Sequence, residues 1–210
     1  MTSSIITNPL TVPSDRYIPI QFNKGPEFYQ NELSNSYLDH RQSGVPITKF
    51  SSKGKVYELR DATPTDISNV ALRDGKMESL LLGVDGLVRR LIANSEKPDI
   101  PVGFYVGRRH PEHARTLEMF YHYVSPKYRE HGLGSVQRAD LLHLATAMAE
   151  FDKLLSIQKP RSNFYESLDS ISSVLKKNGL FFYEVDLSDK AKARKVIEER
   201  LKEVGIEILN

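Results

Sequence analysis

The chain has 210 residues, a net charge of +2 at pH 7, 27% charged residues and no cysteine. That length suits one well-buried domain with an extension, and the balanced charge gives no bulk electrostatic case for a nucleic-acid or membrane partner. The missing thiols exclude disulfides, thiolate zinc sites and cysteine acyl-enzymes. No apolar run approaches the roughly 20 residues of a bilayer span, and no basic-then-apolar leader opens the chain, so a cytoplasmic protein is expected.

Residues 1–54 are rich in Ser, Asn, Pro and Gly with scattered aromatics such as Tyr17, Phe28, Tyr37 and Phe50. They are read as an N-terminal arm, either pinned by those rings across the domain or across a second subunit in a homodimer, or largely mobile. A domain over 55–210 follows. Alternation from Val56 predicts a strand, and Asp61 to Asp66 supply turn and N-cap chemistry before an apolar helix. Met77 to Ile92 reads mostly helical, interrupted by Gly83 and Gly86. Pro101 to Gly107 and Arg115 to Val124 predict an antiparallel hairpin around a polar loop containing His110 and His113, which is read as solvated and not as a metal site. A buried helix is expected over Leu133 to Phe151 and a short strand over Leu154 to Ile157. Phe164 to Tyr183 reads as helix, Asn178-Gly179 break and apolar strand. Ser188 to Val204 predicts an amphipathic helix, with Glu198 and Lys202 spaced to pair, and Ile206 to Leu209 a last strand. The expected fold class is α/β, a mixed sheet flanked by helices.

One segment carries more chemistry than the rest. Val124-Ser-Pro-Lys-Tyr-Arg-Glu-His-Gly-Leu-Gly134 runs from a strand end through Arg-x-x-Gly-x-Gly into the long helix. Two glycines allow close backbone approach, the first amides of a helix lack intrahelical acceptors, and the helix dipole favours an anion there. Arg129 adds a charge suited to phosphate oxygens. A dinucleotide-binding turn fits less well, because Gln137 occupies the third glycine position and Asp152 precedes the next strand instead of ending it.

This segment resembles the acetyl-CoA-binding motif of the GNAT superfamily of N-acetyltransferases. The resemblance extends to Lys55–Ile67, to Val102-Gly-Phe104 and to the order of elements over about 55–187. It implies a splayed, mostly antiparallel central sheet in which acetyl-CoA, as acyl donor, lies in the gap between the strand ending at Val124 and the strand Leu154 to Ile157. By resemblance, backbone groups of Tyr123 and Val124 would bond the pantetheine, and Arg129, Glu130, His131, Gly132, Leu133, Gly134 and Ser135 would hold the pyrophosphate. The acceptor would be a primary amine on a small molecule, a protein or a nucleobase.

Direct acetyl transfer needs a base for the amine and a proton for the departing thiolate. Alternation sets Glu118, Phe120, His122 and Val124 on one strand face. Glu118 matches the general-base glutamate of the histone-acetyltransferase branch, and the other reading is a structural acid paired with an arginine such as Arg115. His122 is the second candidate base, or else a core histidine. The tyrosine that many members place before the glycine following the last helix corresponds here to Leu175. Tyr165 is the substitute donor, or plain packing. A non-catalytic acyl-CoA-binding module is the alternative to the enzyme.

Overall fold

The computed structural model describes residues 47–63, 66, 86–159 and 162–209. Within them, nine strands form one sheet. In chain order they are β1 (Lys49–Ser52), β2 (Lys55–Asp61), β3 (Gly86–Asn94), β4 (Lys97–Arg109), β5 (Thr116–Val124), β6 (Lys153–Gln158), β7 (Ser172–Lys177), β8 (Leu180–Asp186) and β9 (Ile206–Ile208). The helices are α1 (Leu133–Ala147), α2 (Asn163–Glu166) and α3 (Lys190–Glu203), with a 3-10 turn at Pro126–Tyr128. Across the sheet the order is β7-β8-β6-β5-β4-β3-β2-β1-β9. Every neighbouring pair is antiparallel except β5 and β6, which α1 joins as a crossover. The expected mixed sheet flanked by helices is therefore what forms.

Helix α1 buries Leu133, Val136, Ala139, Leu141, Leu142 and Ala145. It packs on β4, β5 and β6, and α3 lies beside it with Ala193, Ile197 and Leu201 turned inward. The main core lies between these helices and the sheet face carrying Tyr57, Val88, Tyr105 and Leu117. Asp189 caps α3 by accepting from the Lys192 amide at 3.0 Å. The surface ion pairs of α3 are Lys195–Glu199 and Arg200–Glu203, not the expected Glu198–Lys202.

Four expectations are corrected. The sheet begins at Lys49, inside the stretch read as an arm: β1 pairs with β2 and also with β9, where Phe50 faces Ile208. Residues 1–46 lie outside the described residues. Gly86–Ile92 is strand, because β2 and β4 flank it and supply partners for its backbone on both edges. With both faces of β3 covered, Val88, Leu91 and Ile92 are buried, which is why its pattern lacked simple alternation. Residues 77–85 of that expected helix are not described. Helix α1 ends at Ala147, and Met148 takes an extended conformation while its amide still bonds the Leu144 carbonyl.

The last correction matters most for function. Ser172–Lys177 is a strand, not the body of a helix. Asn178 and Gly179 both have positive φ, 52° and 76°, which makes the two-residue turn that joins right-twisted antiparallel strands. Leu175 therefore lies on the outer strand, 52% exposed, and does not occupy the end of a helix.

Candidate active site

The parallel pairing of β5 with β6 is short. It runs from Thr116–Lys153 to Met119–Ser156 and stops there, although both strands continue to Val124 and Gln158. A β-bulge sits at the same level. Val106 pairs with Tyr121 and Gly107 with Met119, so Phe120 is an extra residue in β5. The bulge re-aims the strand as it leaves β6. Beyond it β5 is held by β4 alone, and a gap opens toward the N-terminus of α1.

That terminus is built on the glycine turn. Gly132 is the N-cap residue at φ +70°, a left-handed conformation, and a side chain there would also meet Ile206 at 3.1 Å. Glu130 is left-handed as well, at φ 68°. None of the backbone amides of Glu130, His131, Gly132, Leu133 and Gly134 finds an acceptor among the described residues. The turn is anchored from behind: Ser52 Oγ donates to the His131 carbonyl at 2.7 Å, and the Tyr57 hydroxyl lies 3.0 Å from His131 Nδ1. Leu133 is buried. Arg129 closes the 3-10 turn through its amide, which donates to the Pro126 carbonyl at 3.3 Å.

Tyr123 and Val124 border the gap, but the Tyr123 carbonyl already accepts from Gln137 Nε2 at 2.9 Å. Gln137 also reaches the Phe104 carbonyl at 3.1 Å, so this α1 side chain fixes the end of β5 against β4.

The bulge separates the two candidate bases. The Tyr105 hydroxyl bonds Asp140 of α1, and a Cβ on Gly107 would strike Leu141, so Tyr105 and Gly107 face the helix. Their β5 partners His122 and Met119 face it too. Glu118 points to the other face, where Phe120 joins it under the Arg108 guanidinium. The expected single face holding Glu118, Phe120, His122 and Val124 does not form, because the extra residue shifts the alternation by one.

Glu118 is buried and pairs with Arg108, Oε2 to Nε at 2.7 Å. Arg115, the partner envisaged from sequence, instead pairs with Asp152, 2.7 Å from Nη2 to Oδ1. His122 is enclosed, and its pKa is lowered to about 4, chiefly by burial and further by the Arg138 charge, while a hydrogen bond with Gln158 opposes the shift. Its Nε2 lies 3.3 Å from both Arg138 Nη2 and Gln158 Oε1. A neutral, engaged imidazole of this kind is a weak base near pH 7.

Tyr165 is fully buried. Its ring stacks on Tyr183 with centroids 5.1 Å apart, and its hydroxyl lies 3.7 Å from the Met119 sulfur. Burial raises its pKa. It sits beneath the fork, beside the last paired residues of β5.

Sequence reasoning missed Arg138. It stands on α1 one turn after Gly134, and helical side chains lean toward the N-terminus. Its Nη1 consequently lies 2.9 Å from where a Cβ on Gly134 would be. Nη2 donates to Gln158 Oε1 at 2.7 Å, so the guanidinium reaches from α1 to β6 across the open gap. The ring of Tyr165 lies 5.7 Å from Cζ. Only the presence of a charged residue in an otherwise apolar helical run could have signalled it.

Neither a family model nor a curated protein sequence matches the chain. Solved structures do. A GNAT-family protein from Desulfovibrio desulfuricans superposes with a TM-score of 0.46 at 17% identity, over 62% of this chain and 99% of that one. An acetyltransferase of the GNAT family from Streptococcus pneumoniae gives 0.45 at 12% identity, over 62% and 99%. A spermidine N-acetyltransferase chimera built on the Vibrio cholerae enzyme gives 0.47 at 11% identity, over 64% and 98%. The chain is similar in fold to GNAT-family acetyltransferases. In this chain the glycine turn, the fork between β5 and β6 and the arginine inside it lie side by side.

Proposed function

We propose that the chain is an N-acetyltransferase that moves an acetyl group from acetyl-CoA to a primary amine by direct attack. The observation that carries this reading is the fork: β5 and β6 part beyond Met119 and Ser156, beside a helix N-terminus whose amides from Glu130 to Gly134 have no acceptor among the described residues. A diphosphate fits those amides, with Arg129 as the added charge, and an extended chain ending in a thioester fits along the free edge of β5. Glu118 is the proposed base. Arg108 fixes its orientation, and a water between carboxylate and amine would carry the proton. The acceptor is any amine able to reach the Glu118 face of the gap, and the reaction needs no covalent intermediate on the enzyme. A cytoplasmic setting and a homodimer joined through the N-terminal arm belong to the same proposal. Among the described residues no helix is long and apolar enough to cross a membrane.

Thermal unfolding with acetyl-CoA tests this reading. Ligand at one hundred times its dissociation constant adds about 2.7 kcal/mol, a rise in Tm of roughly 5–10 °C for a chain of this size. NAD at the same concentration should produce none. Arg129→Glu should abolish most of the rise, and an equal rise in the variant would remove Arg129 from the site. Glu118→Gln should lower kcat by about 10²-fold or more and remove the acidic limb of the pH profile; an unchanged profile would rule out Glu118 as the base.

A further inference from the structure

Arg138 is an enclosed cation. Among the described residues no carboxylate pairs with it, and its Nε is shielded from solvent and makes no hydrogen bond. Burial pulls the pKa of the guanidinium down, opposed only weakly by the nearby Tyr165 and Tyr183. An enclosed charge without a partner is costly, so an anion that arrives with a ligand would offset that cost.

The geometry also says what kind of anion. Both two-point edges of a guanidinium, the end pair of Nη1 with Nη2 and the side pair of Nε with Nη2, run through Nη2. Here Nη2 is flanked by Gln158 Oε1 at 2.7 Å and by His122 Nε2 at 3.3 Å. A carboxylate or phosphate would have to compete with Gln158 for Nη2 to take the forked grip that makes arginine its preferred partner. What remains is Nη1 and Nε, each able to serve an anion that presents a single atom.

We propose that Arg138 stabilises the thiolate released from the acyl donor; this rests on the acetyl-CoA reading above. Two observations meet in it. No carboxylate among the described residues pairs with Arg138, and its guanidinium reaches across the gap from α1 to Gln158 of β6, where the thioester would be. In the step itself, the amine nitrogen forms a bond to the acyl carbon, the carbon–sulfur bond breaks, and its electron pair passes to sulfur beside Arg138. The proton lost from nitrogen goes to Glu118 and then to solvent. Arg138 transfers no proton, and the thiolate takes one from water on leaving.

The experiment is titration of free CoA bound to the full chain, followed by the ultraviolet absorbance of its thiolate. The expected result is a thiol pKa about 1–3 units below that of unbound CoA, as an opposite charge at short range produces. In Arg138→Met it should return to the unbound value, with CoA affinity changed less than about threefold because the diphosphate contacts are elsewhere, and with kcat reduced about 10²-fold or more. Arg138→Lys, which keeps the charge, should retain part of the depression. Circular dichroism and thermal unfolding establish that each variant is folded. A bound thiol with an unshifted pKa in the unaltered protein, or a depression that survives in Arg138→Met, would overturn the role of Arg138 while leaving the acetyl-CoA reading intact. No CoA binding by the unaltered protein would overturn both.

Discussion

Arg90, held against helix α1, and Arg138, carried by it, are treated in opposite ways. Arg90, on β3, is 2% exposed. Its Nε lies 2.8 Å from Asp140 Oδ2, and Nη2 donates to the carbonyls of Ile47 at 2.6 Å and Leu59 at 2.9 Å. Asp140 accepts further from the Tyr105 hydroxyl at 2.5 Å and the Ile47 amide at 2.9 Å. Burial pushes the Asp140 pKa up, and Arg90 with these donors pulls against it. Arg138, two residues away on the same helix, has two neutral partners and, among the described residues, no acid. The first cation is a fastening between β2, β3, α1 and the residue Ile47 that precedes β1. The second faces a gap and has no acid among the described residues to neutralise it, which is how a group kept for a ligand differs from one kept for the fold.

The largest test of this contrast is to make the first arginine resemble the second. Asp140→Ala removes the nearer carboxylate of Arg90, leaving Asp61 at 3.6 Å, and should cost about 3–5 kcal/mol in urea unfolding. A loss below about 1 kcal/mol would mean that the Arg90 network does not fasten the sheet.

Next in size is the effect of pH on the Arg138 neighbourhood. The unfolded His122 takes up a proton below about 6.5, whereas the folded ring resists until about 4. The unfolded state then binds more protons, so this contribution is complete above about 6.5 and is lost as pH falls toward 4. Relative to His122→Gln, the unaltered protein should lose up to ~3 kcal/mol across that window. Parallel stability curves for the two would show that the imidazole is not held neutral.

The smallest expected change is in the stability of Arg138→Met without ligand. Removing an uncompensated cation offsets the hydrogen bonds lost to Gln158 and His122, so stability should stay within about 1 kcal/mol of the starting protein or rise. A loss comparable to that of Asp140→Ala would make Arg138 a fastening too, and the contrast would fail.

What could be read from sequence follows the range of the forces involved. The glycine turn was legible because its conformation is local: left-handed backbone at Gly132 and free amides at a helix start need no distant partner. β4, β5, β6 and α3 were likewise set by their own periodicity. β3 was misread because its apolar pattern is dictated by two neighbouring strands and two covered faces. The Ser172–Lys177 strand was misread although Asn178-Gly179 is a strong hairpin signal, since the family resemblance supplied a helix there and outweighed the turn. In the site, the residues of the turn could be named, but the separation of Glu118 from His122 could not. It depends on a single extra residue at Phe120, which only the pairing of β5 with β4 reveals. The partners Arg108 and Arg138 escaped for the same reason, being close in space and apart in sequence.

The four-residue contact between β5 and β6 has a mechanical consequence as well. Among the described residues it is the sole strand pairing that ties β6, β7 and β8 to the six strands on the other side. The sheet is therefore two stiff plates joined along a short seam, with the hinge at the closed end of the fork. Widening the mouth breaks no backbone ladder. Among the described residues it strains side-chain contacts, namely the bridge from Arg138 and His122 to Gln158 and the contacts of Tyr165 with Met119 and Arg138, along the line where a long, thin ligand would enter.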